Sequence, residues 1–156
     1  MGVEFGDAEV YRKHADDLVR FATGLVGPSN AADVVSDSVL GCLSSPQWRT
    51  VTDRRAYLYR SVYNQAAEFH RSSQRRRSRE QLAAHKERVE AEDVRPEVLA
   101  AVFRLSVRQR AVVVLTYWDD LAPGEIAKLL GISDGSVRRH LARGRLRLKE
   151  VLHVHY

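Results

Sequence analysis

A tight turn between two apolar-faced segments, within residues 121–149, constrains this chain more than any other feature. Ile126, Ala127, Leu129 and Leu130 form the apolar side of a short helix, and Pro123 suits its first turn, where an amide hydrogen would be unpaired anyway. Gly131 can end that helix in the left-handed conformation, with Ile132 tucked back beneath the turn. Ser133 is the natural N-cap of the next helix. There Val137, Leu141, Gly144, Leu148 and Val151 recur at steps of four and three, a stripe that must face the body of a domain. Arg138, Arg139, Arg143, Arg145, Arg147 and Lys149 fall largely elsewhere. The spacing predicts a helix-turn-helix with a basic second helix, the shape that enters a major groove with its N-terminal side chains at base edges and later ones at phosphates. A helical hairpin with a merely solvated basic face would leave the cap, turn and stripe without a common reason.

The charge pattern widens that reading. The net charge of +5 hides blocks: −4 over residues 1–48, +7 over 49–88, −3 over 89–125 and +5 over 126–156. Two separate basic segments suggest two contacts with a polyanion, and the acidic ones suggest surfaces for a basic protein or for solvent. No apolar run reaches membrane-spanning length and the N-terminus lacks a secretory pattern, so the chain is expected in the cytoplasm. Cys42 is the single cysteine, which excludes an internal disulfide and a cysteine-rich zinc site; it falls on an apolar stripe and is expected in the core.

In the N-terminal half, Tyr11, Ala15, Leu18, Ala22 and Leu25 mark an amphipathic helix ended by Gly27-Pro28. Asn30 is placed to cap a second helix, whose stripe is Ala31, Val35, Val39 and Cys42 and whose other face carries Asp33, Ser36 and Asp37. A loop from Gln47 to Asp53 follows, with Thr52 or Asp53 able to cap a third helix built on Leu58, Val62, Ala66 and Phe69. The rest of that helix interleaves Arg54, Arg55, Arg60 and Arg71 with Tyr57, Tyr59, Tyr63 and Asn64. Arginine among aromatics suits single-stranded nucleic acid, because cations follow phosphates while rings stack on exposed bases. Some of these tyrosines must be core, and Trp48 fits a buried anchor as well as a base-stacking platform.

Residues 72–79 form a cationic run without an apolar face, and 73–95 reads as a linker of partial helicity at most. Pro96 can begin a helix through Leu99, Val102 and Phe103, and Ser106 can cap another to about Trp118. Ala111-Val-Val-Val-Leu115 would alone suggest a buried strand, but the chain offers it no strand partner. The expected fold is all-α: an N-terminal helical domain over 1–72, a flexible linker over 73–95 and a C-terminal helix-turn-helix domain over 96–156.

Residues 105–121 and 125–138, with Leu105-Ser-Val-Arg-Gln-Arg110 and Glu125-Ile-Ala-Lys-Leu-Leu-Gly-Ile-Ser133 at their heads, resemble the promoter-distal domain of extracytoplasmic-function sigma factors. The segments Ala32-Asp33-Val-Val-Ser-Asp37 and Ala56-Tyr-Leu-Tyr-Arg-Ser-Val-Tyr-Asn64 stand where that family has its acidic polymerase-binding motif and its minus-ten motif. Ser36, Asp37, Tyr57 and Tyr63 replace the family's usual glutamine, glutamate, tryptophan and arginine. The resemblance implies a dissociable subunit that binds core RNA polymerase, recognises promoter DNA and helps open it, without catalysis or a cofactor of its own. It implies duplex contacts by Ser136, Arg138, Arg139 and Arg143, and contacts to the melted non-template strand by Arg60, Asn64, Arg71 and Trp48. The loop from Gln47 to Asp53 would pocket a flipped base. Asp33 and Asp37 would meet the polymerase clamp. It leaves two modes of control open, an anti-sigma protein or regulated synthesis alone.

A free-standing helix-turn-helix regulator would account for the C-terminal half but not for the arginine-aromatic helix or the acidic second helix. A nuclease or recombinase has no support, since Asp16 and Asp17 are adjacent on a helix and diverge. His153 and His155 could chelate a metal only in extended chain, and a frayed terminus is the expected state. His14, His70, His85 and His140 are scattered and expected at the surface.

Overall fold

A computed structural model describes residues 5–79 and 96–152. Residues 80–95 of the expected linker, with His85, and the pair His153 and His155 lie outside the described residues. Helices α1 (Phe5–Val26), α2 (Pro28–Ser44) and α3 (Arg54–Arg79) form one bundle, with a 3-10 turn at Pro46–Arg49 between the last two. Helices α4 (Pro96–Phe103), α5 (Val107–Tyr117), α6 (Pro123–Leu130) and α7 (Asp134–Leu152) form the second. Among the described residues there is no strand, so the valine run of α5 is helical as expected.

The stripes read from the sequence are the buried faces. Leu18, Ala22 and Leu25 of α1 pack with Ala31, Val35, Val39 and Cys42 of α2 and with Leu58, Val62 and Ala66 of α3. Phe21 and Tyr59 join them, their ring centroids 5.2 Å apart, and burial pushes the Tyr59 hydroxyl up to about 12. Burial likewise raises the Cys42 thiol, which makes it an inert core group.

One local expectation fails for a physical reason. Asn30 does not cap α2: Pro28, whose ring fixes a helical φ, begins the helix directly, Gly27 at φ 86° turns the chain into it, and the Asn30 amide donates to Val26 O. The segment from 73 begins as helix, α3 continuing to Arg79, in keeping with a linker of partial helicity. Along that helix Glu68 accepts from Arg71 at 2.9 Å and from Arg75 at 3.2 Å.

The two bundles also pack together. Helix α1 lies against α4 and α5, and α3 lies against α5 and α6, so one apolar cluster runs through both. This explains why Ala111, Val112, Val113, Val114 and Leu115 are all buried: α5 is covered by its own bundle on one side and by α1 on the other. Gly24 of α1 makes the approach close, since a Cβ there would stand 2.7 Å from Val114 Cγ2.

Candidate nucleic-acid interface

The helix-turn-helix is built by its own sequence. At the start of α6, Pro123 occupies the first turn and Glu125 Oε2 accepts from Ala122 N at 3.0 Å. At its end Gly131 adopts φ 67°, ψ 36°, and Ile132 N donates back to Ala127 O at 3.1 Å, closing the helix in a left-handed cap. Ser133 Oγ then accepts from Ser136 N at 3.1 Å, the expected N-cap of α7. Val137, Leu141 and Gly144 are buried, and the cationic side chains emerge from the opposite arc.

Arg138, Arg139 and Arg143 are exposed on α7, within and just beyond its first two turns. Ser136 is half-buried and its hydroxyl is already engaged, accepting from Ser133 Oγ at 3.0 Å and from Arg139 Nη2 at 3.2 Å, which orients that guanidinium near the helix N-terminus. Arg138 and Arg145 flank a shallow depression floored by Pro123, Leu141 and Ala142, and Arg145 Nε donates to Tyr117 Oη at 2.5 Å. On the other flank His140 is half-buried; burial first, then the Arg108, Arg139 and Arg143 cations, hold its pKa below the usual histidine value. The imidazole is therefore neutral near pH 7.

On α3, Arg60, Asn64 and Arg71 are exposed at offsets of four and seven and share one face. Arg60 is not free, however, because its Nη2 donates to Lys128 O at the end of α6, 2.9 Å away. Arg71 is held by Glu68. Trp48 is 2% exposed and cannot stack on a base. Its Nε1 donates to Asp7 Oδ1 at 2.8 Å, Arg54 covers its ring at 4.9 Å, and Tyr57 lies beside it, so it anchors the loop to α1 instead. Of the two possible caps of α3, Asp53 is the one used: its Oδ1 accepts from Ala56 N at 3.0 Å. Away from these faces, Asp33, Ser36, Asp37 and Leu40 form an exposed ridge on α2, with Leu40 64% exposed.

Sequence reading missed Arg110, which is 4% exposed. Its guanidinium donates to Val102 O, Phe103 O and Leu105 O at the end of α4 and to Leu25 O at the end of α1. Two helix C-termini, whose carbonyls would otherwise be orphaned, are thus capped by one side chain. Burial without a carboxylate lowers its pKa to about 10, which still leaves it charged near neutrality. His70 belongs to the same cluster, half-buried with Nε2 at 2.7 Å from Leu25 O, where a surface position was expected. The unbroken apolar run from Ala111 to Leu115 that follows Arg110 was the available signal. Among the described residues no group of three or more His, Cys, Asp or Glu gathers as a metal would require, and no helix is long and apolar enough to cross a membrane.

Residues 10–76 match the family Sigma-70 region 2, and residues 95–148 match Sigma-70, region 4. The chain belongs to the extracytoplasmic-function RNA polymerase sigma factors. It is 32% identical to the RNA polymerase sigma-E factor of Streptomyces antibioticus, over 92% of this chain and 83% of that protein. It is 31% identical to the sigma-E factor of Streptomyces coelicolor over 97% of this chain and 89% of that one. The ECF RNA polymerase sigma factor SigE of Mycolicibacterium smegmatis is 31% identical, across 94% of this chain and 62% of its own length. In fold, this sigma factor is similar to the sigma factor RpoE of Bartonella quintana, solved with the anti-sigma factor NepR, at a TM-score of 0.67 and 21% identity, covering 96% of this chain and 98% of that chain. It is similar also to CnrH, solved with the cytosolic domain of CnrY, at a TM-score of 0.70 and 20% identity, covering 99% of this chain and 92% of that chain.

Proposed function

We propose that this sigma factor divides promoter recognition between its two bundles, with α7 reading a duplex element and α3 holding a melted strand. The exposed arginine arc of α7 above its buried stripe carries this reading. Arg138 and Arg139 stand at the end that enters a major groove, where a bidentate arginine reads guanine, and Arg143 follows at phosphate distance. Arg60, Asn64 and Arg71 line one face of α3 and track the backbone and bases of a single strand. The loop from Gln47 to Asp53, pinned by Trp48, receives an unstacked base. The α2 ridge of Asp33, Asp37 and Leu40 docks on core RNA polymerase, which supplies all the chemistry; the chain performs no catalytic step and works in the cytoplasm. The neighbour solved with an anti-sigma factor supports a protein of that kind as a further partner.

Capture of core polymerase tests the division of labour. Asp33→Arg and Asp37→Arg, both at exposed positions, should lower polymerase capture at least about tenfold while leaving helicity and duplex binding unchanged. Capture at the wild-type level by both variants would remove the α2 ridge from the interface.

A further inference from the structure

Several exposed arginines of the two basic segments are engaged by the chain itself. Arg60 donates to Lys128 O, Arg71 is held by Glu68, Arg139 by Ser136 and Arg145 by Tyr117. Arg108, exposed at the start of α5, and Arg143, exposed on α7, have no hydrogen-bond or ion-pair partner among the described residues. Both line one cleft of about 500 Å³, together with His140 of α7 and Tyr63 and Arg71 of α3. That volume falls within the range of about 300–1,000 Å³ usual for small-ligand sites, and it is too small to admit a duplex. No carboxylate lines the cleft. Arg71 brings Glu68 with it, so the cations left to a ligand are Arg108 and Arg143.

The surroundings of the cleft are positive as well. His70 also lines it, and its Nε2 stands 2.8 Å from Arg110 Nη1. Arg110 is 4% exposed and, besides that imidazole, bonds only to backbone carbonyls. Carbonyls solvate a cation without cancelling its charge, so a buried and uncompensated positive charge lies directly behind one lining residue. His140 reports the same field from α7: burial first, then Arg108, Arg139 and Arg143, hold its pKa below the usual histidine value. The first turn of α5, behind its Ser106 cap, adds the positive end of a helix dipole to this space. A concave site whose walls share one sign concentrates ions of the other.

We propose that this cleft binds a small polyphosphate, a molecule with two or three linked phosphates, gripped by Arg108 from α5 and by Arg143 from α7. Guanidinium pairs with phosphate through two parallel hydrogen bonds, and two guanidiniums without a carboxylate match the charge of a di- or triphosphate better than that of a single phosphate. The site goes beyond the duplex assignment of α7. Arg143 belongs to both, whereas Arg108 stands on α5, off the recognition helix, and has no part in the proposed DNA contacts. A bound polyphosphate and a DNA phosphate therefore compete for Arg143.

Isothermal titration calorimetry of the full-length chain with tripolyphosphate, at constant ionic strength, tests the site. One molecule should bind per chain, and sulfate should bind at least about tenfold more weakly. Arg108→Ala, at an exposed position, should weaken tripolyphosphate at least about tenfold at unchanged helicity while leaving duplex affinity as in the wild type. Arg147→Ala, which removes an exposed α7 cation outside the cleft, should leave tripolyphosphate binding unchanged. A nucleoside triphosphate is the second ligand: affinity equal to or above that of tripolyphosphate identifies a nucleotide as the source of the phosphates, and lower affinity identifies inorganic polyphosphate. No saturable binding, several molecules per chain, or equal losses from Arg108→Ala and Arg147→Ala would overturn the proposal. If Arg108→Ala weakens duplex as much as tripolyphosphate, the cleft is a DNA-phosphate contact, and the proposal falls while the duplex assignment of α7 stands. Site-specific tripolyphosphate binding by a chain that binds no duplex would sink that assignment alone.

Discussion

Arg110 and Arg138 are both arginines on amphipathic helices, and their surroundings give them opposite jobs. Arg110 is buried and satisfies carbonyls at the ends of α4 and α1, so Arg110→Met should destabilise the fold by at least about 3 kcal/mol, each buried carbonyl left unpaired costing about 1–3 kcal/mol. Urea denaturation measures this; a loss under about 1 kcal/mol would mean that water replaces the guanidinium. Arg138 is exposed, and its loss should leave stability unchanged. Arg138→Ala should instead weaken the cognate duplex by about 1–3 kcal/mol and relax selectivity at one base pair. Equal weakening on every sequence would reassign it to a phosphate. Sequence periodicity distinguishes the two poorly: Arg138 stands outside a clear stripe, whereas Arg110 directly precedes the all-apolar run Ala111–Leu115 of α5, where no face identifies solvent. Trp48 was equally ambiguous, and only the position of Asp7, far away in sequence, decides that the indole is an anchor.

At the scale of the helix, what was legible followed from caps and stripes. Ser106 is the expected cap of α5, with Gln109 completing a capping box, Gly131 and Ser133 punctuate the turn, and the inner faces of α1, α2, α3 and α7 are those the spacing marks. The stretch of α3 beyond Phe69 was less legible, because Glu68 pairs there with Arg71 and Arg75 and no apolar stripe marks it. Glu68, at the centre of that pairing, has its pKa lowered by hydrogen bonds from Arg71 and by the Arg71 and Arg75 charges. The carboxylate therefore competes with any phosphate for the same cations. Glu68→Ala should raise affinity for a single-stranded oligonucleotide about two- to fivefold at low salt, and the gain should fade as salt screens exposed charges. Titration by fluorescence anisotropy at two salt concentrations checks both; unchanged affinity at low salt would place the strand away from this end of α3.

At the scale of the whole molecule, the two-bundle plan and its order were legible, since each bundle carries its own stripes and the basic segments fall one in each. Their docking was not. Gly24 reads in sequence as a small residue in a helix, and nothing local shows that Val114 lies opposite it. The apolar excess of α5 was the one trace of a second covered face. Two bundles that each carry one basic segment fit a subunit that works mounted on a larger enzyme. Transcription from a library of promoter sequences by core RNA polymerase, with and without this protein and with start sites sequenced, tests that claim most directly. New start sites should appear only with the protein present, sharing one duplex element upstream and a second element that is melted at the start. Identical start sites with and without it would contradict the account.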